Sequence, residues 1–120
     1  MAGDSFKEFV LDQLSALPEL RAKAMFGGHG FYSSERFFGI LFEGRFYCKA
    51  SERSRAAYVE RGMEPFTYEL KGRVMTMSYY EVPPDVLENA AELVVWAERA
   101  IQVAAANPRK PSRKSLKRRK

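Results

Sequence analysis

A chain of 120 residues, 46% of them apolar and 13% aromatic, suffices for one domain that buries roughly two-thirds of its unfolded surface, and it is too rich in core-forming residues to be disordered throughout. No apolar run approaches the roughly 20 residues that cross a bilayer, no basic and apolar leader opens the chain, and the only cysteine, Cys48, excludes an internal disulfide, so the cytoplasm is the expected compartment. The net charge of +5 is uneven: eight of the 20 basic residues fall between Arg109 and Lys120 with no acidic one, and the other 12 stand against 15 acidic residues, about −3 over residues 1–108.

Phe6, Phe9, Val10, Leu14 and Leu17 recur at three- and four-residue spacing, which predicts a helix over Ser5–Leu17. Ser5 and Glu8 match a capping box, and Pro18 stops the helix. The period then changes. Lys23–Phe26 and Gly30–Tyr32 read as strands around a Gly27–Gly30 bend, followed by an aromatic run over Arg36–Phe42. Glu43-Gly44 and Lys71-Gly72 each sit between strand-like segments, a two-residue hairpin signal used twice. A short helix is expected over Ser51–Arg61, with Ser51 as N-cap and Gly62 just past its end. The last helix opens near Pro83-Pro84-Asp85 and is renewed at Asn89, which with Glu92 forms another capping pattern. Leu93, Trp96, Ala97, Ala100, Ile101 and Ala104 then trace one stripe, ended by Asn107-Pro108. Short connections force antiparallel neighbours, so the expected fold is α+β: a mostly antiparallel sheet of five or six strands packed by three helices in two layers, one domain over residues 1–107.

Few residues suggest chemistry. His29, the only histidine, has no identifiable orienting partner or second metal ligand and reads as a polar loop residue between glycines. Cys48, mid-strand beside Phe46 and Tyr47, reads as a buried small hydrophobe rather than a nucleophile. Gly27-Gly28-His29-Gly30 lacks the frame of a phosphate-binding loop and leads into a strand; its glycines serve the backbone. Glu88, Glu92 and Glu98 fit a solvated helix face. No enzyme, metal or cofactor is expected.

The strand aromatics say more. Neighbours such as Phe37/Phe38 and Tyr79/Tyr80 must point to opposite faces, so both sheet faces carry rings although the helices cover one. Tyrosines rimming a core account for this, as does a protein interface, either between two copies or with a partner. Phe38, Tyr47, Tyr68 and Tyr79 are the partner-binding candidates. Base stacking on the sheet is disfavoured by the acidic average of residues 1–108.

From residue 108 onward the chain reads as a disordered basic tail. Arg109, Lys110, Arg113, Lys114, Lys117, Arg118, Arg119 and Lys120 are suited to non-specific, salt-sensitive contact with DNA or RNA phosphates, which reads no sequence.

Met25-Phe26-Gly27-Gly28 with Gly30 and Tyr32, Phe46-Tyr47-Cys48-Lys49, Gly62-Met-Glu-Pro65-Phe66-Thr-Tyr68, Met77-Ser-Tyr-Tyr80 with Val82-Pro83, and Trp96-Ala97 resemble, in order and spacing, the N-terminal domain of the TfoX/Sxy family of competence regulators. The resemblance covers about Ser5–Ala105. It implies a compact α+β domain without established catalytic residues, from proteins that induce natural competence, the better-known ones beside the cyclic-AMP receptor protein. Longer members continue into a helical second domain, where this sequence has only its tail. The leading expectation is therefore a regulatory module that docks on a protein partner, transcription machinery or a transcription factor, while the tail adds DNA affinity. The alternatives are a nucleic-acid-associated protein acting through the tail and a small enzyme using Cys48 or His29.

Overall fold

A computed structural model describes residues 2–25 and 27–106; the tail cations and Phe26 lie outside them. Helix α1 (Ala2–Gln13) is followed by β1 (Leu20–Met25), β2 (Gly28–Ser33), β3 (Arg36–Phe42), β4 (Arg45–Lys49), α2 (Arg55–Glu60), β5 (Pro65–Leu70), β6 (Arg73–Glu81), α3 (Pro84–Leu87) and α4 (Ala90–Ala106). The strands form one six-stranded sheet in the order β1-β2-β3-β4-β6-β5, every pairing antiparallel. The α+β expectation holds, with four helical segments because α3 is a turn of its own. Asn89 renews the helix as its pattern predicts: Oδ1 accepts a hydrogen bond from the Glu92 amide at 3.1 Å.

Local chemistry explains most boundaries. Helix α1 starts at Ala2, so Ser5 lies within it, and it gives way after Gln13 to turns that still bury Leu14 and Leu17. Gln13 Nε2 donates to the Leu87 carbonyl at 3.0 Å and Ser33 Oγ to the Pro18 carbonyl at 2.7 Å, which ties this end to α3 and the sheet. Ser51 and Ser54 exchange amide-to-hydroxyl hydrogen bonds of 3.0 and 2.8 Å, a reciprocal cap one turn ahead of α2. At the other end the Gly62 amide donates to the Val59 carbonyl and the Met63 amide to the Tyr58 carbonyl, both at 3.0 Å, in a Schellman closure.

The hairpins at Glu43-Gly44 (φ 52° and 75°) and Lys71-Gly72 (54° and 79°) have two left-handed residues each, the primed turn their sequence suggested. A third such turn was not legible. Ser34 (φ 49°) and Glu35 (φ 71°) connect β2 to β3 without a glycine. The expected Gly27–Gly30 bend is also tighter than read: Met25 pairs with Gly28, so Gly28, His29 and Gly30 belong to β2. These glycines serve close approach. A β-carbon on Gly28 would lie 2.2 Å from the Leu41 carbonyl oxygen, and one on Gly30 2.6 Å from Met25 Sδ and 2.8 Å from Phe37 Cε1.

The main core lies between one sheet face and the helices. Val10 and Leu14 of α1, Tyr58 of α2, Val86 of α3, and Leu93, Trp96, Ala97 and Ala100 of α4 meet Phe31, Phe38, Leu41, Phe46, Cys48 and Val82. Tyr58 is its junction: its ring meets Trp96 edge-on at 4.9 Å and stacks on Tyr80 at 5.7 Å. A bulge fits β3 to this arrangement. Phe31 pairs with Gly39 and Tyr32 with Phe37, leaving Phe38 as the extra residue; it turns towards the helices while Phe37 and Ile40 face away.

Two substitutions test these constraints by urea unfolding. Gly28→Ala is expected to destabilise by roughly 2–3 kcal/mol, because backbone faces the new methyl. Replacing Ser34-Glu35 with Asn-Gly is expected to stabilise by about 1 kcal/mol, because two strained left-handed residues are relieved.

Candidate interaction surface

Among the described residues, no helix lies against the second sheet face. Alternation from the helix-side residues Ala22, Phe46 and Cys48 sends Arg21, Lys23 and Met25 of β1 and Arg45, Tyr47 and Lys49 of β4 to this face. It is filled by rings: Ile40, Phe66 and Tyr79 are buried, with Phe37, Phe42, Tyr47, Tyr68 and Met77 packed around them. Phe66 is enclosed by Tyr47 at 5.0 Å, Phe42 at 5.4 Å and Tyr68 at 5.9 Å, while Tyr32 stacks on Phe37 at 5.1 Å and Phe37 meets Tyr79 at 5.6 Å.

This face has two ends of different character. Where β3 and β4 meet at their hairpin, Phe42, Phe66, Tyr68 and Val74 line an open cleft of about 500 Å³ with Glu43 and Glu69. Val74 is exposed there, at 69%. At the other end Tyr32 lies under Arg21 and Lys23, 5.3 and 5.8 Å from its ring centre, and Tyr79 under Lys49 at 5.0 Å. At the hairpin end Arg45, opposite Phe42 in the β3–β4 register, pairs with Glu81 at 3.0 Å. Burial, followed by the nearby Glu81 carboxylate, pushes the Tyr47 hydroxyl up, so it stays protonated.

The partner-binding candidates divide accordingly. Phe38 is corrected: the β3 bulge turns it into the helix-side core, where it is fully buried and presents nothing to a partner. Tyr79 is on the second face but buried beneath its neighbours, whereas Tyr47 and Tyr68 are half-buried there. Of the motif residues, Met25, Gly28, Gly30 and Tyr32 build the β1–β2 end of this face. Pro65 starts β5 opposite Tyr80, Phe66 centres the ring cluster, and buried Pro83 leads into α3. Trp96 seals the helix side beneath Arg61 and Arg99, at 5.8 and 5.7 Å. Arg61 also pairs with Asp85 and holds its carboxyl below the usual range.

Cys48 shares a hydrogen bond with the Tyr58 side chain, and His29 is a β2 residue that, among the described residues, is not grouped with others into a metal-binding set. His29 is a strand residue, not a loop residue, and its buried Nδ1 has no hydrogen-bond partner among the described residues. Cys48 is fully buried, and that burial pushes its thiol up to about 12, opposed in part by a hydrogen bond with Tyr58. It is a thiol at neutral pH, without the thiolate a nucleophile needs. Among the described residues no three His, Cys, Asp or Glu side chains are grouped to hold a metal ion, and no helix is long and apolar enough to cross a membrane. Sequence reasoning missed the cations of the second face, although Arg21/Lys23 and Arg45/Lys49 alternate in phase with Met25 and Tyr47.

The geometry is that of an α+β domain whose distinctive surface is a ring-filled sheet face. The chain belongs to the family of the TfoX N-terminal domain, whose model matches residues 12–104. It is similar to the DNA transformation protein TfoX1 of Aliivibrio fischeri, 26% identical over 96 residues that make up 80% of this chain and 46% of that protein. It is equally similar to protein Sxy of Escherichia coli K12, 26% identical over 102 residues, 83% of this chain and 49% of that protein. The chain thus spans about half the length of these curated relatives.

The buried thiol gives a pH signature. Its ionisation in the unfolded chain is centred at 9.0 and in the folded chain at about 12, so its contribution to stability is complete below pH 9 and is lost as pH rises towards 12. Denaturation midpoints of wild type and Cys48→Ala measured from pH 7 to 11 should diverge in slope above pH 9, the wild type losing up to about 1.4 kcal/mol more per pH unit. Native Cys48 should resist thiol reagents at pH 8 and react once urea unfolds the chain.

Proposed function

We propose that this chain is a regulatory module of the competence-regulator type that works by docking on a protein partner rather than by catalysis. One observation carries the reading: the Phe42–Phe66–Tyr68 cleft, on a sheet face that no helix covers, joins exposed apolar surface to the two carboxylates Glu43 and Glu69. A rim of this kind around an aromatic floor suits a partner segment with apolar and basic side chains, the ring contacts giving affinity and the carboxylates orientation. Membership of the TfoX N-terminal domain family supports a regulatory role, as does the name of the relative called a DNA transformation protein. The partner is a component of the transcription machinery or a transcription factor. The basic residues between Arg109 and Lys120 add non-specific DNA affinity that raises the local concentration of the docked module.

A photo-cross-linking amino acid at Val74 in the full chain should capture a transcription-associated protein from the source cell, and Glu69→Lys should reduce that capture severalfold while leaving the melting temperature unchanged. Capture of nothing specific, or equal capture with Glu69→Lys, would count against the reading.

A further inference from the structure

The acidic average of residues 1–108 conceals a segregation of charge. Helices α1 and α4 carry Glu8, Asp12, Glu92 and Glu98 against Lys7 and Arg99. The second sheet face carries Arg21, Lys23, Arg45 and Lys49 on β1 and β4, with Glu81 of β6 paired to Arg45. The cations are interleaved with rings. Tyr32 and Phe37, stacked 5.1 Å apart and half-buried, lie on β2 and β3, between Arg21 and Lys23 on one side and Lys49 on the other. We infer that this end of the sheet face binds single-stranded nucleic acid, with bases on the Tyr32–Phe37 rings and phosphates on Arg21, Lys23 and Lys49.

The physical argument is one of complementarity. A single strand presents flat rings at intervals along an anionic backbone, and proteins bind it with aromatic platforms beside basic side chains. A duplex hides its ring faces by stacking, so a half-exposed Tyr32–Phe37 pair offers it little. The side chains over Tyr32 can yield to a base: Arg21 is 45% exposed, and its ion-pair partner Glu35 is 81% exposed. Contacts of that exposure are weak. Freed from the ring, the same groups sit beside it where a phosphate would pass. The surface is separate from the Phe42–Phe66–Tyr68 cleft at the opposite end of the face, so this inference does not depend on the docking reading.

The test uses the full chain with short fluorescent oligo-dT, oligo-U and a duplex of equal length, with anisotropy measured over a range of salt. The parent chain should bind the single strands more tightly than the duplex, and comparing oligo-dT with oligo-U distinguishes DNA from RNA. R21Q/K23Q, changed at exposed edge-strand positions, should weaken single-strand binding roughly tenfold and lower its salt slope by about 1.4, two phosphate contacts, while duplex binding through the tail is unchanged. Tyr32→Leu should weaken single-strand binding by a similar factor without altering the slope, because the ring carries no charge; a thermal melt confirms that this variant is folded. Unchanged affinity and slope in R21Q/K23Q overturns the inference, as does a parent chain that prefers the duplex. Neither result bears on capture at Val74.

Discussion

A sheet with aromatic residues on both faces and helices for only one must shelter the second face by itself. That constraint governs this molecule. The helix-covered face is closed in the ordinary way, with Tyr58, Trp96 and Tyr80 in ring-to-ring contact where α2, α4 and β6 meet. On the other face Ile40, Phe66 and Tyr79 are as well buried as core residues, yet what buries them is the flanking Phe37, Phe42, Tyr47 and Tyr68. Each flanking ring gives up one side to the cluster and keeps another towards solvent. A face assembled this way is stable without a cover and still offers apolar surface to a ligand.

Electrostatics then distinguishes the two ends of that face. Glu43 and Glu69 stand at the cleft beside Phe66, whereas cations lie over Tyr32 and Tyr79. Because charges screen each other over about 10 Å at ordinary salt, a ligand at either end senses the local sign rather than the net charge. The tail cations belong to a third region of the chain, so three charge environments are combined in one small protein.

Of the two residues that looked most like chemistry, Cys48 is accounted for by the core. Cys48 is enclosed by the sheet and Tyr58, and its raised pKa follows from the absence of water. His29 sits between Gly28 and Gly30 in β2, where those glycines let the Leu41 carbonyl, Met25 and Phe37 come close.

Local patterns along the chain specify the α+β class, most of the helices and strands, the Glu43-Gly44 and Lys71-Gly72 hairpins, the Asn89 cap and the opposed faces of Phe37/Phe38 and Tyr79/Tyr80. Each of these follows from interactions a few residues long: side-chain period, turn chemistry, and hydrogen bonds from a side chain to nearby backbone. The sequence also carried the resemblance to the TfoX N-terminal domain that the family match over residues 12–104 bore out. It did not determine that Ser34-Glu35 turns without glycine, that a bulge sends Phe38 to the helices, that Phe66 rather than Tyr79 or Phe38 borders the open cleft, or that the cations of β1 and β4 share a face. Those depend on register and strand order, which bring residues distant in the chain to one place. Only the assembled sheet decides them.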